Sequence, residues 1–223
     1  MKSVFVTGTD TGIGKTRVSC ALMQQLIVEG YRVVGMKPVA SGAYCENGRL
    51  VNDDALQLMA VANVAAPYEL INPYCFAPPI APHLAALQGH QPILLEDIVF
   101  AYQRLAASAD VVVVEGVGGW SVPINTTQTM ADVAAALHLP VIMVVGMRLG
   151  CLNHALLTAE HILRKSLSLA GWVANTLDPN MLALSGNIDT LNTMLPAPML
   201  GVIPYDTSTS FLSNPQLDLA VLQ

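Results

Sequence analysis

Gly8-Thr9-Asp10-Thr11-Gly12-Ile13-Gly14-Lys15-Thr16 is the stretch whose reading decides the fold. It follows a short apolar run, Val4 to Val6, and opens a helical stretch from Lys15 to Glu29 that closes on Gly30. Glycines between a strand and a helix let successive backbone N–H groups and the positive end of the helix face an anion together. The Gly-Lys-Thr ending adds an ammonium for β and γ phosphates in Lys15 and a hydroxyl for Mg²⁺ in Thr16. One departure stands out. The strict spacing G-x-x-x-x-G-K-[ST] requires glycine at position 9, where this chain has Thr9, with Gly8 one residue early. A strand-to-helix turn without a ligand is the plain alternative, and the Gly-Lys-Thr ending favours a nucleotide loop.

Outward from this loop, β-branched runs alternate with helix-like stretches. The strand candidates are Val4 to Val6, Val33 to Met36, Val111 to Val114, Val141 to Val145, Leu169 to Ala174 and Met199 to Ile203. Among the helices, Thr129 to Leu137 opens on a Thr-Met-Ala-Asp capping box and Leu152 to Lys165 carries basic residues in its last turn. Such alternation predicts βαβ units: an α/β fold of one domain over residues 1–223, a doubly wound, mainly parallel sheet with helices on both faces. The stretch Pro67 to Pro92 holds six prolines and reads as irregular connection with one short helix near His83 to Gln88.

Composition agrees with a sheet buried on both faces. Only 12% of the 223 residues are charged and 53% are hydrophobic, with a mean hydropathy of +0.50. The longest apolar stretch, Val133 to Gly146, is interrupted by His138 and Pro140 and falls short of the roughly 18 to 20 residues that span a bilayer. No membrane association and no secretory signal are expected, which makes the cytoplasm the default location. A net charge of −6 and the lack of a Lys/Arg run disfavour nucleic acid as a partner. Cys20, Cys45, Cys75 and Cys151 lack the paired spacing of a zinc or redox site, and His83, His90, His138 and His161 lack ligand spacing. The methionines and Trp172 read as packing.

Asp110 to Gly116 places an acid, Glu115, at the carboxyl end of a strand of four valines, the edge where doubly wound sheets bind ligands. A carboxylate there can hold Mg²⁺ beside phosphates, or merely cap a loop. Gly116, Val117 and Gly118 follow it, and the glycines allow close backbone approach. After the second strand comes Lys37-Pro38-Val39-Ala40-Ser41-Gly42, and beyond it Asn52-Asp53-Asp54-Ala55 at the start of a helix. Lys37 is suited to stabilising charge on a transferred group, or is a solvated amine; Asp53 and Asp54 are helix-start residues by type.

Taken together, the loop with Thr9-Asp10-Thr11, the Lys37–Gly42 and Asn52–Ala55 segments, Glu115-Gly116-Val117-Gly118-Gly119-Trp120 and Gly171-Trp172-Val173-Ala174-Asn175 resemble the dethiobiotin synthetases, a P-loop NTPase-like family. Gly150 to Leu156 and Pro196 to Gly201 are similar too, so the match runs in order over most of the chain. What the resemblance implies is an ATP-dependent ligase of biotin biosynthesis that carboxylates 7,8-diaminononanoate with CO₂ and closes the ureido ring. Thr16, Asp54 and Glu115 would then hold Mg²⁺, with Asp53 a helix-start residue. Lys15 and Lys37 would stabilise phosphoryl and carbamate oxygens, and Thr11 and Ser41 would contact the diamine. Gly12, Ile13, Gly14 and Arg17 fall in the nucleotide stretch, although Gly12, Ile13 and Arg17 occupy variable positions and Arg17 has no specific role. Asn175, Thr176, Pro204, Tyr205 and Asp206 would meet adenine.

The unpaired N–H groups of the helix beginning near Gly150, Cys151 and Asn153 would hold the substrate carboxylate, unless Asn153 only caps that helix. Since a nine-carbon chain separates its acid from its amines, the anchor belongs away from the phosphate loop, and a homodimer is the expected assembly. Residues 177–189 and 206–214 carry no pattern of the family. The main rival is a dimerising P-loop ATPase switch of the chromosome-partitioning type, whose loop carries a second lysine five residues before the main one; here that position is Asp10. A glutamine-dependent amide ligase would need a further glutaminase domain, and a nucleoside kinase would lack the Lys37, Ser41 and Asp54 set.

Overall fold

In the computed structural model, which describes residues 3–205 and 216–220, β1 (Val4–Gly8), α1 (Lys15–Val28) and β2 (Val33–Met36) form the first crossover unit. A small excursion follows: β3 (Val39–Ser41), β4 (Tyr44–Glu46), β5 (Arg49–Val51), α2 (Asp53–Val61), α3 (Tyr68–Ile71), β6 (Tyr74–Phe76), α4 (Pro82–Gln88) and α5 (Leu95–Ala106). The chain then returns through β7 (Val111–Glu115), α6 (Met130–Leu137), β8 (Val141–Met147), α7 (Cys151–Arg164), β9 (Leu169–Thr176), α8 (Leu184–Met194) and β10 (Met199–Ile203). Six of these strands make one sheet in the order β10-β9-β8-β1-β7-β2. Every neighbouring pair in it is parallel.

The period of two along each strand divides the core into two layers. Val4, Val6, Val111, Val113, Ile142 and Val144 face one layer, where Val18, Leu22, Met23 and Leu26 of α1 cover them. The alternate residues Phe5, Val112, Val114, Val141, Met143 and Val145 face the other, covered by residues of α5, α6 and α7. The doubly wound parallel sheet that the alternation predicts is therefore the architecture found, with strand ends extended by one or two residues at β1, β7, β8 and β9. Trp172 lies fully buried in the core. No helix among the described residues is long and apolar enough to cross a membrane.

The excursion differs from the expectation. Residues 67–92 hold α3 and β6 as well as α4, and β6 pairs in parallel with β3, so the proline-rich stretch is a compact second layer rather than irregular connection. Between β4 and β5, Asn47 and Gly48 both adopt positive φ, 51° and 80°, the paired left-handed conformation of a tight hairpin turn. Helix α5 buries Ile98, Ala101 and Leu105 along one stripe, and α8 begins at Leu184 within the stretch that lacks a recognisable pattern. At the chain's end, Gln25 of α1 clamps Leu217 through reciprocal bonds, its Nε2 donating to the Leu217 carbonyl (2.7 Å) and its Oε1 accepting the Leu217 N–H (3.0 Å).

At the start of α6, the Asp132 carboxylate accepts the Thr129 N–H at 2.7 Å and pairs with Lys165 at 2.6 Å. Partial burial works against its charge, but Lys165 and the Thr129 donors outweigh it and hold the Asp132 pKa below its ordinary value. A depressed carboxylate stabilises the fold above its unfolded-state pKa, and that contribution is lost as pH falls through the lower folded value. Asp132→Ala is therefore expected to cost about 1 to 2 kcal/mol at neutral pH, with the difference shrinking below pH 4. Urea unfolding of the two proteins at pH 7 and near pH 3 checks this, and an equal difference at both would contradict it.

Candidate functional site

The carboxyl ends of β1, β2 and β7 deliver the loop, Lys37 and Glu115 to one place, because parallel strands all end on the same edge. Gly8 closes β1 with no room for a side chain: a Cβ there would come within 2.6 Å of Ile13 Cδ1 and 3.1 Å of Lys15. That packing explains why glycine stands at position 8. Gly14, the residue before α1, has φ of 83°, and a Cβ on it would lie 2.2 Å from the Asn175 amide. Among the described residues, the N–H groups from Gly12 to Thr16 find no acceptor. They form an anion cradle at the start of α1.

Beside the cradle lies a buried charge cluster. Glu115 is 0% exposed and Lys37 2%. The Lys37 ammonium donates to Glu115 Oε1 at 2.7 Å and to the Gly116 carbonyl at 3.3 Å, and lies 2.7 Å from Asp54 Oδ2. Thr16 Oγ1 donates to the same Glu115 oxygen at 2.8 Å. Burial opposes the charge on Lys37, yet Glu115 and Asp54 outweigh it and raise its pKa. Burial likewise opposes charge on Asp54, and Lys37 outweighs it and lowers that pKa. Lys15, donating to the Asp10 carbonyl at 3.0 Å, is lowered to about 8, by burial first and then by Lys37. The carboxylates reach into α1 as well: burial, with Glu115 and Asp54, pushes the Cys20 thiol up to about 12.

Glu115 Oε2 is buried without any hydrogen-bond partner. A full negative charge with an unused oxygen is costly unless a cation completes it. With the Thr16 hydroxyl and Asp54 alongside, the donors are all oxygen, the set a hard cation such as Mg²⁺ takes. Among the described residues no group of three or more His, Cys, Asp or Glu gathers to hold a metal, and an ion here would share its coordination with oxygens of a bound molecule. The residues present fit a magnesium–nucleotide complex.

A cleft of about 680 Å³ opens over the cluster. The loop residues Thr11, Gly12, Ile13, Gly14, Lys15 and Thr16 form its floor. Lys37, Ser41, Asp54, Glu115, Val117 and Gly118 form its walls. Ser41 Oγ, like Glu115 Oε2, is buried and unpartnered. Sequence reasoning missed the segment from Pro79 to Pro82, which forms the opposite wall together with Val122. Its signal was the proline at the first position of α4. A neighbouring recess of about 530 Å³ shares Thr11 and runs along Trp120 and His161.

The other expected site residues stand outside this cleft. Asn175 is buried against the loop, its Nδ2 donating to the Ile13 carbonyl at 2.7 Å while its Oδ1 has no partner. Thr176 is buried next to it, and Tyr205 is exposed. Arg17 donates to the Pro204 carbonyl at 3.1 Å, which ties α1 to that segment. Asp206 lies outside the described residues. Gly150 precedes α7 with φ of 97°, and the helix has no side-chain cap, so Asn153 does not cap it. Cys151 is buried and Asn153 exposed. The cap of α2 is Asn52, whose side chain accepts the Asp54 N–H at 3.1 Å, so capping falls to Asn52 rather than Asp53.

A family model described as an AAA domain matches residues 2–212. The chain is 47% identical over 205 residues to an ATP-dependent dethiobiotin synthetase of Xylella fastidiosa (strain 9a5c), covering 92% of this chain and 91% of the relative. The corresponding synthetase of Nitrosospira multiformis is 50% identical over 205 residues, with 92% and 89% covered. The chain belongs to the ATP-dependent dethiobiotin synthetase family. Among solved structures, a ParA family ATPase from Chlorobium tepidum TLS superimposes with a TM-score of 0.58 at 15% identity, covering 100% of this chain and 98% of the other. MinD of Aquifex aeolicus gives 0.58 at 13% identity, with 100% and 94% covered. At that identity the likeness concerns the P-loop fold alone.

Lys37 and Glu115 form a buried ion pair at 2.7 Å, and its contribution to stability can be measured. Removing one partner of a buried ion pair strands the other charge and costs about 3 to 5 kcal/mol. Lys37→Met is expected to lose that much in denaturant unfolding without Mg²⁺, and Lys37→Met/Glu115→Gln to recover a large part of it. A double variant no more stable than the single one would show that stranded charge is not the cause.

Proposed function

We propose that the chain acts as a single domain that carboxylates 7,8-diaminononanoate with CO₂ and closes the ring to dethiobiotin at the expense of ATP. One observation carries this reading: Thr11, Ser41, Lys37, Asp54 and Glu115 come from separate segments and yet line one cleft with the phosphate loop. A bare nucleotide switch needs no such wall. Asp10, where the partitioning ATPases carry their second lysine, also speaks against that alternative.

In the proposed reaction CO₂ adds to one amine, which loses a proton to give a carbamate; a carbamate oxygen attacks the γ-phosphorus and ADP leaves; and the second amine displaces phosphate as the ring closes. Both the acceptor and the transferred group are anionic, so the chain's task is to hold them together against repulsion. Lys15 and Lys37 offset charge on the phosphoryl and carbamate oxygens, acting in a half-enclosed cleft where such stabilisation is stronger than in water. Thr16, Asp54 and Glu115 would hold Mg²⁺, which when bound neutralises phosphate charge. Thr11 and the unpartnered hydroxyl of Ser41 orient the diamine. The backbone of Gly116, Val117 and Gly118 borders the phosphates, and Asn175, Thr176, Pro204 and Tyr205 border the base, where the free Oδ1 of Asn175 is an acceptor for an amino group. The substrate carboxylate is assigned to the start of α7, to the N–H groups at Gly150 and Asn153, since the Cys151 N–H is already taken by the Arg148 carbonyl at 3.0 Å. Because these residues stand outside the cleft, we assign them to the cleft of a second copy in a homodimer, acting on small molecules in the cytoplasm.

The deciding assay is phosphate release from ATP, which is expected only when the diamine acid and bicarbonate are both present, with dethiobiotin identified by mass spectrometry. Diamine-independent hydrolysis stimulated by a protein or lipid surface would instead support the switch. For the carboxylate anchor, the methyl ester of the diamine acid is expected to show a raised KM with a modest change in kcat. An ester that binds and turns over as well as the free acid would remove the helix-start anchor.

A further inference from the structure

Asp10 places a carboxylate inside a loop built to hold polyphosphate, where an uncompensated negative charge opposes the ligand. Its surroundings remove that conflict. Oδ1 accepts the Thr11 N–H at 2.7 Å, and Oδ2 accepts Nη2 of Arg148 in a close ion pair. The Asp10 carbonyl accepts the Lys15 ammonium at 3.0 Å. Arg148 follows β8 directly, and its own carbonyl accepts the Cys151 N–H at 3.0 Å as the chain turns into α7. The Arg148 guanidinium therefore touches the residue that orders Thr11 and seats Lys15, while the Arg148 backbone leads into α7.

Both side chains of the pair are about half exposed, and such pairs contribute little to folding stability. Their effect is to be sought in ligand binding instead: Asp10 borders the neighbouring recess, and its contacts with the Thr11 N–H and the Lys15 ammonium carry into the cleft that those two residues line. We propose that Arg148 is a positioning residue for the nucleotide, neutralising Asp10 and fixing the loop so that Thr11 and Lys15 meet the phosphates. The planar guanidinium suits the role because it holds a carboxylate oxygen while staying charged at any pH of interest. This inference rests on the nucleotide reading of the cleft.

The test is direct binding of a non-hydrolysable ATP analogue with Mg²⁺ by calorimetry, on the full-length protein and three variants. Arg148→Gln is expected to weaken binding about tenfold, the scale of one charge interaction near a protein surface. Asp10→Asn/Arg148→Gln is expected to recover most of that loss, since no charge remains to be compensated, and Arg148→Lys to stay within about threefold of the wild type. Thermal unfolding midpoints are expected to change little, which separates positioning from folding. Wild-type binding by Arg148→Gln would overturn the proposal. So would a double variant as weak as Arg148→Gln, because Arg148 would then act on the nucleotide itself rather than through Asp10. A wild-type protein that binds no nucleotide would overturn the reading of the cleft; normal wild-type binding with an indifferent Arg148→Gln would overturn only this inference.

Discussion

The buried bond between Lys37 and Glu115, 2.7 Å long, is the constraint on which the rest of the site depends. Each charge alone at the end of a parallel sheet would be costly to bury, and together they hold β2 and β7 at matched heights. The register agrees: Met36, the residue before Lys37, pairs with Val114, the residue before Glu115. Both strand ends are thus set by the same polar contact that sets the chemistry. Thr16 and Asp54 attach α1 and α2 to the pair, so four elements converge on two side chains. Such a cluster is a weak source of stability in itself, and its better-founded consequence is geometric uniqueness.

How the sequence reads at each level follows from the range of the interactions involved. The six strands of the sheet were legible because parallel strands buried on both faces become runs of Val and Ile, as in Val111 to Val114. The phosphate loop was legible because its conformation needs glycines at fixed offsets. Less legible was the excursion between β2 and α5, where β3 and β6 are three residues each and held by pairing between distant segments. One local signal there was available: Asn47-Gly48 marks the turn of the β4–β5 hairpin. Helix α5 carries Glu96 and Asp97 in its first turn and Arg104 in its last, which suits the helix dipole, but Leu94 offers no cap to mark its start.

Within the site, the chemistry of the residue types was readable while their mutual distances were not. Lys37 read equally well as a surface amine, because nothing local shows that Glu115, 78 positions away, would meet it. The same holds for Asn175, whose amide reaches the loop carbonyl of Ile13 from 162 positions away. Pro79 to Pro82 went unnoticed as a wall since prolines before a helix read first as punctuation. Only the fold brings them over the loop.

The likeness to ParA and MinD structures shows what the scaffold alone leaves open. Those chains share the fold at 15% and 13% identity, and a fold does not by itself select a reaction. Selection has to come from what the other strand ends contribute, since all parallel strands open on the same edge. Here β2 contributes a buried lysine, the β3 end an unpartnered hydroxyl at Ser41, and α2 a carboxylate. The loop itself carries an acid at position 10, balanced by Arg148 from the end of β8. Asp10 reaches the cleft through Thr11 and Lys15, the neighbours it orders. Arg148 thereby links the loop to the end of β8 and the start of α7, the part of the chain proposed to reach a second copy.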